Sequence, residues 1–123
     1  MLTAGPSITI PFREYTLSSY RPLVVLTTAS SPEEASRIAT HVVEARLAAC
    51  VNVIDRVQSV YRWQDAVESA TEVLLIIKTS DSNVDALEAA IREMHSYQVP
   101  EILALPVSSG SDDYLRWLVQ SLE

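Results

Sequence analysis

The sequence predicts an α+β domain with the element order β-α-β-β-α-β and one further helix at the C-terminus. Three observations carry this. The runs LVVLTT at 23–28, VLLII at 73–77 and ILALPV at 102–107 are compact, rich in aliphatic and β-branched residues, and read as strands. Two stretches between them place apolar side chains at helical spacing. A chain of 123 residues, 48% hydrophobic and 20% charged, has the balance of one globular domain.

Each element has a local reason. Strand 23–28 leads into Ser31-Pro32-Glu33-Glu34. Ser31 can cap a helix there, Pro32 suits its first position, and Glu34 completes a capping box. Ala35, Ile38, Ala39 and Val42 continue the helix to about Leu47, with Glu34, Arg37, His41 and Glu44 on the other face. Residues 50–54 and 58–63 read as one long strand or two in line, and 64–71 as a turn region. The run 73–77 ends at Lys78 and Thr79. A second helix, capped at Ser80 or Ser82, carries the stripe Val84, Leu87, Ile91, Met94. Pro106 places the end of strand 102–107 at a sheet edge, because proline donates nothing to a ladder. Ser111 caps the last helix, with Leu115, Leu118 and Leu122 facing inward.

This order is the split βαβ, ferredoxin-like plan. Its helices cover one face of the sheet, and a strand with a bare second face alternates apolar and polar residues. LVVL, VLLII and ILALPV do not alternate, so both faces read as buried. One chain supplies helices for only one face. Self-association through the sheets is therefore expected. Residues 1–20 read as a flexible extension ahead of a single domain at 21–123, although the alternation Ser7, Ile8, Thr9, Ile10 suits a strand added to a sheet edge.

Composition also excludes. The formal charge of −7 is poorly suited to a nucleic-acid backbone. Two glycines, Gly5 and Gly110, cannot build a dinucleotide fingerprint or a phosphate loop, so no organic cofactor is expected. A lone Cys50 forms no intrachain disulfide, and with His41 and His95 it makes no zinc finger. No apolar run is long enough to span a membrane. Pro6, Pro11, Arg13 and Glu14 interrupt what a secretory signal would keep apolar. A reducing cytoplasm is the expected location.

Six strings stand in order: LVVLTTA at 23–29, LAACVNVI at 47–54, VYRW at 60–63, LLIIKT at 74–79, HSYQVPEILALPV at 95–107 and DYLRWL at 113–118. In this register the chain resembles the divalent-cation tolerance (CutA) family over about residues 22–122. The resemblance implies a ferredoxin-like homotrimer with inward-facing sheets, similar to PII-type signalling proteins. It also implies a link to tolerance of copper and other divalent metals, with no established catalysis. The departures are specific. His95-Ser96-Tyr97 stands for the usual His-Pro-Tyr, and Gln64-Asp65 replaces a glycine turn. Thr27 and Met94 occupy positions where some members carry Cys and His.

The candidate metal ligands are His95 as neutral imidazole, Met94 as a soft thioether and Cys50. Each has a plainer reading: a helix C-cap, the last rung of an apolar stripe and a buried thiol. His41 reads as a solvated histidine. A ligand cleft between subunits is the other candidate, combining Lys78 and Glu101 with the aromatic residues Tyr61, Trp63 and Tyr97. A trimer interface with a satisfied ion pair is its plainer counterpart. Three functions follow: weak metal-ion binding in copper tolerance, a PII-like module holding a small anion or metabolite at Lys78, and a structural scaffold. An enzyme is the least expected class, since no nucleophile and base stand together.

Overall fold

A computed structural model describes residues 20–123. The expected extension at 1–20, with its strand-like alternation at 7–10, lies outside the described residues except for Tyr20. The elements run β1 (Pro22–Ala29), α1 (Pro32–Glu44), β2 (Cys50–Trp63), β3 (Ala66–Ser80), α2 (Val84–Met94), β4 (Ile102–Pro106) and α3 (Asp112–Gln120). The sheet order is β2-β3-β1-β4, and every neighbouring pair is antiparallel. This is the ferredoxin-like arrangement with an added helix, and β4 ends at Pro106 on a sheet edge as expected.

The core lies between one sheet face and the first two helices. Val25 of β1 and Val73, Leu75 and Ile77 of β3 meet Ile38 and Val42 of α1 and Leu87 and Ile91 of α2. Full burial of each such side chain contributes roughly 1.5–3 kcal/mol. The helix α3 packs apart from this core: Leu115 and Val119 lie with Tyr20 and Val107, and Leu118 and Leu122 with Ala49.

The opposite face is apolar too. Leu26, Leu74 and Ile76 share it by strand parity and register. All three are half-buried, while Leu103 and Leu105 beside them on β4 are exposed. The non-alternating pattern of the strands thus leaves an apolar surface without a covering helix among the described residues.

Three local expectations are corrected. Residues 66–71 are strand, not turn: β3 begins at Ala66 and pairs with β2 from Trp63 onward, leaving Gln64-Asp65 as the whole connection. Both turn residues take positive φ, 49° and 67°, as a tight hairpin requires. The paired strands form an arm exposed on both faces, with Val60 66% and Val67 69% accessible on one and Trp63 54% on the other. The helix α1 stops at Glu44, short of Leu47, because Arg46 turns to φ 60° and the amides of Leu47 and Ala48 both donate to the Val42 carbonyl. The N-cap of α2 is Asn83, not Ser80 or Ser82. Its amide is engaged elsewhere, accepting from Ser80 Oγ at 2.8 Å and donating to the Arg46 carbonyl at 3.2 Å.

The long second strand is a single element with a break in register between Ile54 and Val57. Arg56 lies there at φ 63°, the mark of a bulge, which bends a strand.

Candidate functional site

The loop between α2 and β4 is pinned to the body at three places. His95, the C-cap of α2, sets its Nε2 2.6 Å from the Thr28 carbonyl, and its Nδ1 accepts the Tyr97 amide at 3.0 Å. The second bond requires an unprotonated Nδ1, so the proton sits on Nε2 and is donated to Thr28. Glu34 accepts the Ser96 amide at 2.8 Å, together with the amide and hydroxyl of Ser30. Burial of this carboxyl pushes its pKa up, yet the hydrogen bonds from Ser30 and Ser96 outweigh burial and hold it at about 2. Finally, the Tyr97 hydroxyl donates to Glu72 at 2.7 Å. Burial first, and then the Glu72 carboxylate, push the Tyr97 phenol up to about 12.

These pins place the loop against the β2–β3 arm and form a cleft of about 880 Å³. Tyr61, Trp63, Tyr97 and Glu101, four of the residues singled out from sequence, line it. Lys78 does not. It pairs with Cys50 and Val24, roughly 20 Å along β3 from Glu72 at ~3.3 Å per residue. No Lys, Arg or His is among the lining residues, which instead include Glu68 and Glu72. The cleft within one chain is therefore acidic. Sequence reading missed Glu68 and Glu72 because both fall beside or inside the stretch taken for a turn. Their signal was the period of two in Ala66, Glu68, Ala70, Glu72, which puts all four on the face of Tyr61 and Trp63.

The three candidate metal ligands are not brought together. Both ring nitrogens of His95 are spent on hydrogen bonds. Met94 packs half-buried against the main core. Cys50 hydrogen-bonds with Tyr114 of α3, whose hydroxyl is pushed up by burial and then by the thiol. Its row in the sheet lies roughly 13 Å along the strands from the Thr28 row that holds His95. No group of three or more His, Cys, Asp or Glu suited to a metal ion occurs among the described residues. His95, Met94 and Cys50 of one chain do not fit a copper centre.

A ferredoxin-like sheet with one face under two helices and an apolar second face, extended by a hairpin arm, defines the class. Solved structures place it more closely. The chain superposes on CutA from Xylella fastidiosa with a TM-score of 0.82 and 33% identity, covering 84% of this chain and 99% of that one. With CutA1 from Oryza sativa the TM-score is 0.80 at 42% identity, over 82% and 93% of the two chains. The family described as CutA1 divalent ion tolerance protein matches residues 23–121. The chain belongs to that family. Among its relatives, the divalent-cation tolerance protein CutA of Thermus thermophilus is 46% identical over 95 residues, 77% of this chain and 92% of the relative. The chloroplastic CutA protein of Arabidopsis thaliana is 43% identical over 99 residues, 80% of this chain. There the match spans only 54% of the relative's length.

Proposed function

We propose that this chain serves divalent-metal tolerance as a cytoplasmic homotrimer that binds metal ions weakly, copper among them. The carrying observation is the apolar sheet face of Leu26, Leu74 and Ile76, together with an arm bare on both sides. Surfaces of this kind are costly in water and are relieved by copies of the same chain. A charge of −7 per chain, multiplied in an assembly, concentrates cations without choosing among them. This reading needs no preformed centre in one chain, which agrees with the engaged nitrogens of His95. A lone thiol suits a reducing compartment. The role is binding rather than catalysis. The anion-binding alternative would need Lys78 brought to the cleft from a second copy, because among the described residues of one chain the cleft is lined by carboxylates and no base.

The test is growth under Cu(II) or Zn(II) stress of cells lacking their own homologue and supplied with this chain. Rescue by the wild type, and none by an Ile76→Glu variant that sedimentation finds monomeric, is the expected result. A calorimetric Cu(II) titration should be weak and unchanged in His95→Ala. Saturable binding abolished by that substitution would return the metal to His95. Rescue by a monomeric variant would sink the role of assembly.

A further inference from the structure

We propose that His41 and Glu44, on the outer side of α1, hold one divalent transition-metal ion per chain, Cu(II) ahead of Zn(II). This rests on the reading of weak metal binding and names its site.

Access in the assembly comes first. Ala35, Ile38 and Val42 turn α1 toward the sheet, so the helix covers the face opposite Leu26, Leu74 and Ile76. Association through that apolar face leaves the outer side of α1 in solvent. His41 and Glu44 are exposed there and line one shallow groove with Arg37.

Availability then selects the ligands. The chain has two histidines. Both ring nitrogens of His95 are engaged, and the Cys50 thiol is bonded to Tyr114. The side chains of His41 and Glu44 have no hydrogen bond or ion pair among the described residues. His41 is thus the imidazole whose lone pair is open to a metal.

Spacing brings the two donors together. Residues at i and i+3 of a helix set their Cβ atoms roughly 5–6 Å apart. From there an imidazole nitrogen and a carboxylate oxygen converge on one ion at about 2.0–2.2 Å. Two protein ligands, with water at the other positions, make a weak site. No group of three or more His, Cys, Asp or Glu among the described residues offers a stronger one. Both residues lie in the last turn of α1, where the helix dipole favours a cation. Arg37, one turn earlier, opposes the ion, and Glu33, one turn earlier again, offsets Arg37. Imidazole with carboxylate suits Cu(II) above Zn(II), while Mg(II) prefers oxygen alone.

The experiment is a calorimetric titration of the full chain in its native assembly with Cu(II), Zn(II) and Mg(II). Amide NMR spectra with substoichiometric Cu(II) locate the ion independently. Saturable Cu(II) binding near one ion per chain is expected, with weaker Zn(II) and no Mg(II) binding. Affinity should fall roughly tenfold or more in His41→Ala and less in Glu44→Gln. Glu93→Gln, an exposed acid in the last turn of α2, removes the same charge elsewhere and should leave binding unchanged. Paramagnetic broadening should centre on residues 41–44. Circular dichroism and sedimentation confirm that the variants fold and assemble. Binding that survives His41→Ala, falls equally in Glu93→Gln, or broadens residues 95–97 first would overturn this site and leave weak metal binding standing. An absence of saturable binding in the wild type would overturn both.

Discussion

Glu34 holds the loop that builds the cleft, and replacing it with glutamine tests that arrangement. Its side chain is 3% accessible and accepts three hydrogen bonds, from the Ser30 amide at 2.9 Å, the Ser30 hydroxyl at 3.1 Å and the Ser96 amide at 2.8 Å. The folded carboxyl titrates at about 2 against an ordinary 4.5. At about 1.4 kcal/mol per pH unit, the ionised form contributes about 3 kcal/mol to stability. The sign follows from the lowered folded value. The contribution is complete above pH 4.5 and is lost as pH falls from there through about 2. Glutamine is the neutral isostere of the protonated acid. One of its two positions also turns an N–H toward a donor. Urea unfolding of the wild type and Glu34→Gln, at one protein concentration from pH 7 to pH 2, is the assay. The variant should be less stable by about 3 kcal/mol at pH 7. The gap should narrow below pH 4.5 and nearly close by pH 2. A gap that stays constant through that window, or one under about 0.5 kcal/mol at neutral pH, would refute the reasoning.

Three other perturbations have defined signs. The Thr27 hydroxyl is fully buried without a hydrogen-bond partner among the described residues, so Thr27→Val should raise stability by about 1 kcal/mol, read from the urea midpoint. A loss would show that the hydroxyl is satisfied in solution. Gln64 and Asp65 both take positive φ without glycine, and Asp65→Gly should add about 0.5 kcal/mol, the relief of strain exceeding the extra unfolded-chain freedom. Destabilisation by this change would mean that the aspartate makes a contact worth more than the strain. Tyr97→Phe removes the bond to Glu72 and should cost about 1 kcal/mol at neutral pH. Because the folded phenol titrates at about 12 rather than 10, its contribution is complete below pH 10 and fades as pH rises through 12. Ultraviolet titration of the phenolate, with and without Tyr97, checks this, and an unchanged alkaline titration would contradict it.

Much of the fold was legible because its signals are local. VLLII and LVVL are strands on composition, and Ser31-Pro32-Glu33-Glu34 starts a helix on spacing alone. Ser31 does accept the Glu34 amide, at 3.1 Å. The Glu34 carboxylate, however, reaches back to Ser30 and across to Ser96 instead of closing a local box. The arm was missed for a related reason. Residues 66–72 hold alanines, glutamates, small polar residues and one valine, too little of an apolar face to mark a strand. They are strand because β2 offers a ladder across a two-residue turn. Pairing with a neighbour supplies what intrinsic preference lacks.

The site divides in the same way. Tyr61, Trp63, Tyr97 and Glu101 are recognisable from sequence as the residues of a cleft, and one cleft contains them all. The sign of its charge was not recognisable, because it depends on register. Lys78 stands close in sequence to Glu72, yet an extended strand separates them by roughly 20 Å. Glu68 enters the cleft of one chain because Tyr61 pairs with it across the ladder, and Lys78 could reach that cleft only from a second copy. His95 is the sharper case. Its chemistry as a ligand is real in isolation, but coordination requires a free nitrogen lone pair. Here Nδ1 spends that pair on the Tyr97 amide, and Nε2 carries the proton given to Thr28. To bind a metal, the ring would have to release the loop that forms one wall of the cleft. Metal ligation by His95 and a closed cleft are therefore competing states of one chain, and Cu(II) bound through His95 should weaken whatever binds beside Tyr97.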